Sequence, residues 1–286
     1  MNKPYFISEV SSNHSQDLER SKEFIRKSAE IGCDAVKFQL FKIDQLFAPE
    51  ILSKSKMHAD RKQWELPVEF LPELSACSKE HSIDFSCTPF YLKAVEELEP
   101  YVDFYKIASY ELLWDDLIIE CARTNKPLVL STGMATLDEI GHAVSTFNRH
   151  SSAELTLLHT ISAYPTPIHE ANVSAIETLR SKFGCQVGLS DHSVSPAVLL
   201  RAIHRWQASA VEFHLDLDEH GEEYQTGHCW LPHQIESTIK LVRDGFSADG
   251  NGEKAPVPSE LPDREWRADP ADGLRPFKHV RKTFNG

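Results

Sequence analysis

Lysine, histidine and hydroxyl residues stand at the ends of short apolar runs throughout this 286-residue chain. Lys37 and Lys106 each lie within a β-rich run, and His192 and His214 lie at the ends of two later runs. Two ammonium groups with hydroxyl donors around them suit a phosphate and a carboxylate. Two imidazoles at neighbouring strand ends could share one divalent metal ion. The sequence therefore predicts an anion site and a metal site close together.

The other candidate site residues are polar side chains that follow the same runs. They are Glu9, Gln39, Thr88, Ser109, Glu111, Ser131, Ser162, Tyr164 and Ser190. Burying unpaired polar groups is costly, so such residues either satisfy one another or face a ligand. A single lysine at such a position would be explained more simply by a buried Lys–Glu pair. A single histidine would be explained more simply by a hydrogen-bonded imidazole without a metal. The number of polar groups at these positions favours a ligand site.

Alternating strands and helices must position these side chains. The predicted strands cover residues 5–10, 35–40, 84–88, 104–109, 127–132, 155–161, 186–191 and 210–216. The predicted helices cover residues 18–31, 68–81, 92–98, 115–124, 137–147, 173–183, 196–206 and 232–245. Eight strand–helix units predict a parallel (β/α)₈ TIM barrel. A doubly wound open sheet is the competing architecture, but no glycine-rich turn follows the first strand.

In such a barrel, the C-terminal ends of all strands meet at one face, where the site is expected. Lys37 and Gln39 share one face of their strand because they are two residues apart. The long connection over residues 41–66 is typical of a functional lid. The polar run 216–228 is either a solvated loop or part of the site. Residues 1–246 are predicted to form the barrel and residues 247–286 an irregular tail.

The bulk composition limits the classes of function. The net charge of −13 argues against nucleic acid and against acidic membrane surfaces as partners. No apolar run approaches the roughly 18 residues of a spanning helix, and the N-terminus lacks a secretory pattern. The six cysteines are scattered, which predicts reduced thiols in a cytoplasmic protein.

Eight motifs together resemble the sialic acid synthase (N-acetylneuraminate synthase) family. They read SEVSSNHSQDLE, GCDAVKFQ, FSCTPF, YKIASYE, KPLVLSTGMATLDEI, LLHTISAYPTP, VGLSDHS and VEFHLD, in order and with barrel-like spacing. The resemblance implies a (β/α)₈ barrel that condenses phosphoenolpyruvate with an open-chain N-acyl aldose and releases phosphate. The product would be a sialic-acid-like nonulosonic acid or a related 2-keto-3-deoxy acid.

The resemblance also implies roles for individual residues. Phosphoenolpyruvate would be bound by Lys37, Thr88, Lys106, Ser109, Ser131, Ser190 and Ser162. His192 and His214 match the ligands of a divalent metal, Mn²⁺ or Mg²⁺. Glu9, Gln39, Glu111 and Tyr164 match residues near the sugar or the reacting carbons, and Glu9 is the candidate for handling protons or water.

Three departures from the family pattern fall on the sugar side. Ser162 stands where the family usually has Asn, and Phe213 stands where it has a basic residue. The Pro-Gly-Pro-Asp stretch after the last strand is replaced by HGEEYQTGHCW. The family's C-terminal antifreeze-like domain has no room before Gly286. We expect a divergent synthase for an altered aldose, with Glu222, Glu223 or His228 replacing contacts of the missing Asp.

Two other functions stay open at this stage. One is a catalytically inactive barrel that binds ligand and acts as a partner subunit. The other is a lysine aldolase in which Lys37 or Lys106 forms a Schiff base.

The oligomeric state also stays open at this stage. A homodimer through the barrel helices or the tail would have Trp266 and Phe277 as apolar candidates for the contact.

Overall fold

Eight parallel strands close into a barrel in the computed structural model, which describes residues 3–284. The strands are β1 (Tyr5–Glu9), β2 (Ala35–Leu40), β3 (Asp84–Pro89), β4 (Phe104–Ile107), β5 (Leu128–Ser131), β6 (Leu155–Thr160), β7 (Gln186–Asp191) and β8 (Ala210–Leu215). β1 pairs with both β2 and β8, which closes the ring. The predicted (β/α)₈ TIM barrel is confirmed.

Helices follow the strands in the predicted order. They are α1 (Leu18–Glu30), α2 (Ile43–Leu46), α3 (Pro49–Leu52), α4 (Lys56–Ala59), α5 (Leu71–Glu80), α6 (Leu92–Leu98), α7 (Asp115–Arg123), α8 (Leu137–His150), α9 (Ala175–Phe183), α10 (Pro196–Leu200), α11 (Glu222–Gln225), α12 (Pro232–Ala248) and α13 (Lys278–Thr283). The three short helices α2, α3 and α4, with a 3₁₀ turn over Asp60–Trp64, lie in the long connection after β2.

Local signals in the sequence explain where several helices begin and end. Asp17 caps α1 by accepting from the backbone N–H of Arg20. Thr136 and Glu139 form a capping box at the start of α8. α9 ends at Gly184, whose φ of 67° suits glycine. The barrel helices therefore start at positions that the sequence specifies.

The last predicted strand is followed by a ninth, short strand that the sequence did not predict. β9 (Cys229–Trp230) pairs in parallel with the end of β8, opposite His214 and Leu215. The polar run 216–228 connects these two strands and contains α11. Two residues are too few to show an alternating pattern, so periodicity could not reveal β9.

The barrel interior has an apolar layer directly below a polar one. On each of six strands an apolar core residue is followed, two positions later and on the same face, by a polar residue. These pairs are Ile7 and Glu9, Ala35 and Lys37, Phe104 and Lys106, Val129 and Ser131, Leu158 and Thr160, and Ala210 and Glu212. The apolar layer forms a packed floor, and the polar layer above it faces the barrel mouth.

The chain divides into two compact units, Met1–Asp244 and Gly245–Gly286. Within the second unit, short helical turns cover Pro258–Glu260 and Arg264–Trp266, followed by α13. Asp272 accepts two hydrogen bonds of 2.9 Å from the Arg281 guanidinium, which ties α13 to the segment before it.

Two further observations bear on the composition. Within residues 3–284, no helix combines the length and apolar character that crossing a bilayer would require. All six cysteines are free thiols, and five of them are buried.

Candidate active site

The barrel mouth encloses a cavity of about 390 Å³. It brings together eleven of the predicted site residues. They are Glu9, Lys37, Gln39, Thr88, Lys106, Ser109, Ser131, Tyr164, Ser190, His192 and His214. Arg61, Glu212, Glu223 and His228 also line it. Two predicted residues, Glu111 and Ser162, are not among the lining residues.

The two lysines share a buried carboxylate. Lys106 Nζ lies 3.3 Å from one oxygen of Glu212, and Lys37 Nζ lies 3.8 Å from the other. Lys37 also forms an ion pair with Glu9 and donates to Thr88 Oγ1 at 3.3 Å. The side chains of both lysines and of both glutamates are at most 5% exposed. The two interpretations of the lysines are therefore compatible. Both lysines form buried ion pairs with glutamates, and both also line the cavity.

The electrostatics of this group follow from its burial. Burial lowers the pKa of Lys37 to about 8. Burial by itself would raise the pKa of Glu212, but the charges of Lys106 and Lys37 outweigh it and lower that pKa to about 2. Glu212 is therefore ionised at neutral pH. Glu212 belongs to the predicted strand over residues 210–216, but nothing in its spacing shows that it lies between both lysines.

Glu9 is held by several donors at the end of β1. One carboxylate oxygen accepts from the Ser11 backbone N–H and from Gln39 Nε2, both at 2.9 Å. The other oxygen faces Lys37. Gln39 and Lys37 thus meet Glu9 from the same face of β2, as their two-residue spacing predicts.

Three serine hydroxyls lie on or near the opposite side of the mouth. Ser131 Oγ and Ser162 Oγ are buried, and neither has a hydrogen-bond partner within the described part of the chain. Ser109 Oγ accepts from the Gly133 N–H at 3.0 Å. Buried hydroxyls without partners are costly, so these groups are suited to a bound ligand with acceptor oxygens.

Gly133 is a site residue that the sequence reading did not single out. A Cβ atom built on it would lie 2.8 Å from Ser109 Oγ and would also meet Ser162 Oγ. The position therefore requires glycine if both hydroxyls are to face the same space. The available signal was a glycine between two hydroxyl residues and Met134 in the STGM stretch, which is weak without the fold.

Glu111 follows β4 and keeps one unpartnered oxygen. Its Oε2 is buried and has no hydrogen-bond partner among residues 3–284. Burial raises the pKa of this carboxyl to about 7. Near neutral pH, Glu111 can therefore be present as an acid that donates or as a base that accepts.

His192 is fixed as a neutral imidazole. Its Nδ1 lies 2.9 Å from the Ile161 carbonyl, so Nδ1 donates and Nε2 keeps its lone pair. Burial lowers the pKa of His192 to about 3. The ring packs on Tyr164, with ring centres 4.3 Å apart, and lies 5.3 Å from the ring of His214. A neutral ring with a free Nε2 fits a metal ligand.

Asp191 supports the His192 turn and does not itself reach the cavity lining. Its carboxylate accepts from Ser193 Oγ at 2.5 Å and from the Val194 N–H at 3.2 Å. It also accepts from the Trp230 indole N–H at 3.1 Å. These contacts fit a role for Asp191 in orienting the chain next to His192.

The loop between β8 and β9 enters the site. Glu223 Oε2 lies 2.7 Å from His214 Nδ1 and 3.6 Å from His228 Nε2. One ligand atom each of His214, Glu223, His228 and Cys229 lie within 4.8 Å of one another. The sequence left this run undecided between a solvated loop and a functional one. Because Glu223 and His228 line the cavity, the run belongs to the site.

The long connection after β2 contributes Arg61 to the cavity lining. The Arg61 guanidinium lies over the rings of Phe47 and Trp64, at 5.7 and 5.3 Å. Its Nε has no hydrogen-bond partner within the described residues. The sequence predicted a lid here but could not select Arg61, because the connection has no periodic pattern.

Comparison with known proteins gives consistent matches over most of the chain. A family model described as the NeuB family matches residues 24–254. The chain is 31% identical to a pseudaminic acid synthase of Helicobacter pylori, over 93% of this chain and 81% of that protein. It is 32% identical to an N,N'-diacetyllegionaminic acid synthase of Campylobacter jejuni, over 91% of this chain and 81% of that one.

A solved structure shares the same architecture. The N-acetylneuraminic acid (sialic acid) synthetase of Leptospira borgpetersenii superposes with a TM-score of 0.80 at 28% identity. The match covers 93% of this chain and 92% of that chain.

Proposed function

This chain belongs to the NeuB family, and we propose that it condenses phosphoenolpyruvate with an open-chain N-acyl aldose. Inorganic phosphate would be released, and the product would be a sialic-acid-like nonulosonic acid. The observation that carries the proposal is the composition of one cavity. It combines two buried lysines, the buried Ser131 hydroxyl without a partner among residues 3–284, and a neutral imidazole beside a second histidine.

Lys37 and Lys106 would hold the anionic substrate. Their ammonium groups, with the hydroxyls of Thr88, Ser131 and Ser190, offer several donors to a phosphate and a carboxylate. Glu212 holds both amines in place, since its carboxylate lies between them. The same cations would stabilise the negative charge that develops on the departing phosphate.

The bonds change in two steps. The enol carbon C3 attacks the aldehyde carbon, so a C–C bond forms, the C2=C3 double bond is used up and C2 becomes electron-poor, while the aldehyde oxygen takes up a proton and becomes a hydroxyl. Water then adds to C2 and loses a proton. The C2–O bond to phosphate breaks, and the new C2 hydroxyl gives up its proton as it becomes the keto group. Glu9 or Glu212 would accept the proton from the water, because these are the carboxylates beside the lysines. Glu9 stays our first candidate.

His192 and His214 would hold a divalent cation, Mn²⁺ or Mg²⁺. When bound, such an ion supplies Lewis-acid polarisation of the aldehyde oxygen. The residues fit this role because the Nδ1 atoms of both rings already have oxygen partners, Ile161 O and Glu223 Oε2. This arrangement orients each ring and leaves its Nε2 available. Tyr164, whose ring packs on His192, would border the sugar. Glu111 would border it as well.

The experiment is a phosphate-release assay over a panel of N-acyl and plain hexoses, with phosphoenolpyruvate and either metal. We expect release only in the presence of an accepted aldose, and a product mass equal to the sum of both substrates plus water minus phosphate. Lys106→Ala should abolish release, whereas Lys93→Ala, at an exposed lysine, should leave it unchanged. No release with any aldose and either metal would overturn the proposal.

One observation favours a second candidate, the lysine aldolase. The lowered pKa of Lys37 is what a Schiff-base lysine needs. Borohydride trapping with pyruvate separates the two, because a mass increase at Lys37 would support the aldolase and its absence would exclude it.

A further inference from the structure

We propose that the β8–β9 loop adds Glu223 and His228 to the cation site of His214, and that the site selects transition-metal ions over Mg²⁺. This inference deepens the proposed function, since it concerns the ion assigned there to His192 and His214. It rests on contacts within the loop and on the hydrogen-bond capacity of each group.

The geometry brings the candidate ligands to one place. The ligand atoms of His214, Glu223 and His228 fall in a group whose members all lie within 4.8 Å of one another. The ring centres of His214 and His228 are 4.9 Å apart. Their side chains are 11% and 7% exposed, and that of Glu223 is 19% exposed. A cation at this point would be largely shielded from bulk water.

The proton positions follow from the partners of Thr226. Its hydroxyl donates to the Glu223 backbone carbonyl at 2.8 Å, because a carbonyl can only accept. The single hydroxyl proton is then used, so the contact of 2.7 Å with His228 Nδ1 must have the ring as the donor. This contact orients the His228 ring and leaves its Nε2 for another partner.

His228 Nε2 faces a carboxylate oxygen, since it lies 3.6 Å from Glu223 Oε2. Glu223 cannot turn away easily, because its other oxygen accepts from the hydroxyls of Ser11 and, at 3.3 Å, of Ser12. A bound cation would be held by His228 Nε2 and the Glu223 carboxylate at once, while the contact of 2.7 Å between Glu223 Oε2 and His214 Nδ1 orients the His214 ring.

The types of ligand atom determine which metal ions the site prefers. Imidazole nitrogens suit zinc, cobalt, iron and related ions, whereas Mg²⁺ prefers oxygen ligands in octahedral geometry. Two histidines and one carboxylate thus favour transition metals. Affinity should follow the usual order for divalent ions, with Mn²⁺ weaker than Co²⁺.

The loop provides matched controls for both added ligands. Glu222 and His220 are of the same residue types, lie in the same loop and are exposed. The experiment measures Co²⁺, Mn²⁺ and Mg²⁺ binding to the chelator-treated chain by calorimetry, and Co²⁺ binding also by visible absorption. Thermal melting without metal checks that each variant is folded.

We expect Glu223→Gln and His228→Ala each to weaken Co²⁺ binding at least about tenfold and to change the cobalt absorption bands. Glu222→Gln and His220→Ala should bind Co²⁺ like the unmodified chain. Folded Glu223 and His228 variants that bind Co²⁺ normally, with unchanged bands, would overturn the inference. Mg²⁺ binding as tight as that of Co²⁺ would overturn it as well.

These measurements contain no substrate, so the two proposals fail separately. If no aldose releases phosphate but the loop variants lose Co²⁺, the metal site stands and the synthase proposal falls. If phosphate is released but the loop variants bind Co²⁺ normally, the ion is held by His192 and His214 without the loop.

Discussion

Replacing Glu212 by Gln tests the charge balance at the centre of the barrel. The carboxylate lies 3.3 Å from Lys106 Nζ and 3.8 Å from Lys37 Nζ, with all three side chains buried. Gln has nearly the same shape, so the change removes one negative charge and leaves the packing intact. Lys37 would then keep only the carboxylate of Glu9, and Lys106 would lose the carboxylate beside it.

The magnitude follows from the pKa of Glu212. Its value of about 2, against an ordinary value of 4.5, corresponds to about 3 kcal/mol of stabilisation. Because the pKa is lowered on folding, this contribution is complete above about pH 4.5 and is lost as the pH falls towards 2. For a chain of this length, about 3 kcal/mol corresponds to a decrease in Tm of about 5 °C.

The assay is thermal unfolding of both proteins between pH 5 and 8, with phosphate affinity measured in parallel by calorimetry. We expect Glu212→Gln to melt lower throughout this range but to bind phosphate at least about tenfold more tightly, because a repelling charge is gone. Glu177→Gln, which breaks an exposed ion pair with Arg180, should melt almost normally. An unchanged Tm together with unchanged phosphate affinity for Glu212→Gln would refute the reasoning.

Two other predictions concern the anion side of the site. Since burial lowers the pKa of Lys37 to about 8, the amine loses its charge as the pH rises through 8, and kcat/KM for phosphoenolpyruvate should decline above that pH. Lys37→Arg, which stays charged, should remove this decline in whatever activity remains, and a decline at the same pH would contradict the assignment. Gly133→Ala should weaken phosphate binding at least about tenfold with little change in Tm, because the added Cβ would lie 2.8 Å from Ser109 Oγ. Gly141→Ala is the matched control, since its Cβ meets nothing closer than 3.5 Å. Equal phosphate affinity in both variants would argue against a role of the space beside Gly133 in phosphate binding.

The sequence predicted the barrel well because its elements carry strong periodic signals. β2, β7 and α6 have the predicted bounds, and the other strands differ by one or two residues at their ends. The resemblance to the sialic acid synthase family is confirmed by the NeuB family model. Lys37, Lys106, His192 and His214 line one cavity, as expected of residues at the C-terminal ends of parallel strands.

The contacts within the site were harder to predict because they join residues far apart in the chain. Glu212 was visible as a strand residue, but its position between two lysines depends on the closure of the barrel. Glu223 and His228 lie in a loop without periodicity, where sequence gives composition but no direction for the side chains. Gly133 matters only through the space that it leaves beside Ser109 and Ser162.

The short strand β9 gives the segment before it two fixed ends. The Asp216 N–H bonds to the Trp230 carbonyl at 2.9 Å, and the Trp230 indole is tied to Asp191. Residues between these anchors can therefore vary in length and type while the frame that presents them stays in place. A protein engineer could therefore graft the corresponding segments of relatives between the same two points.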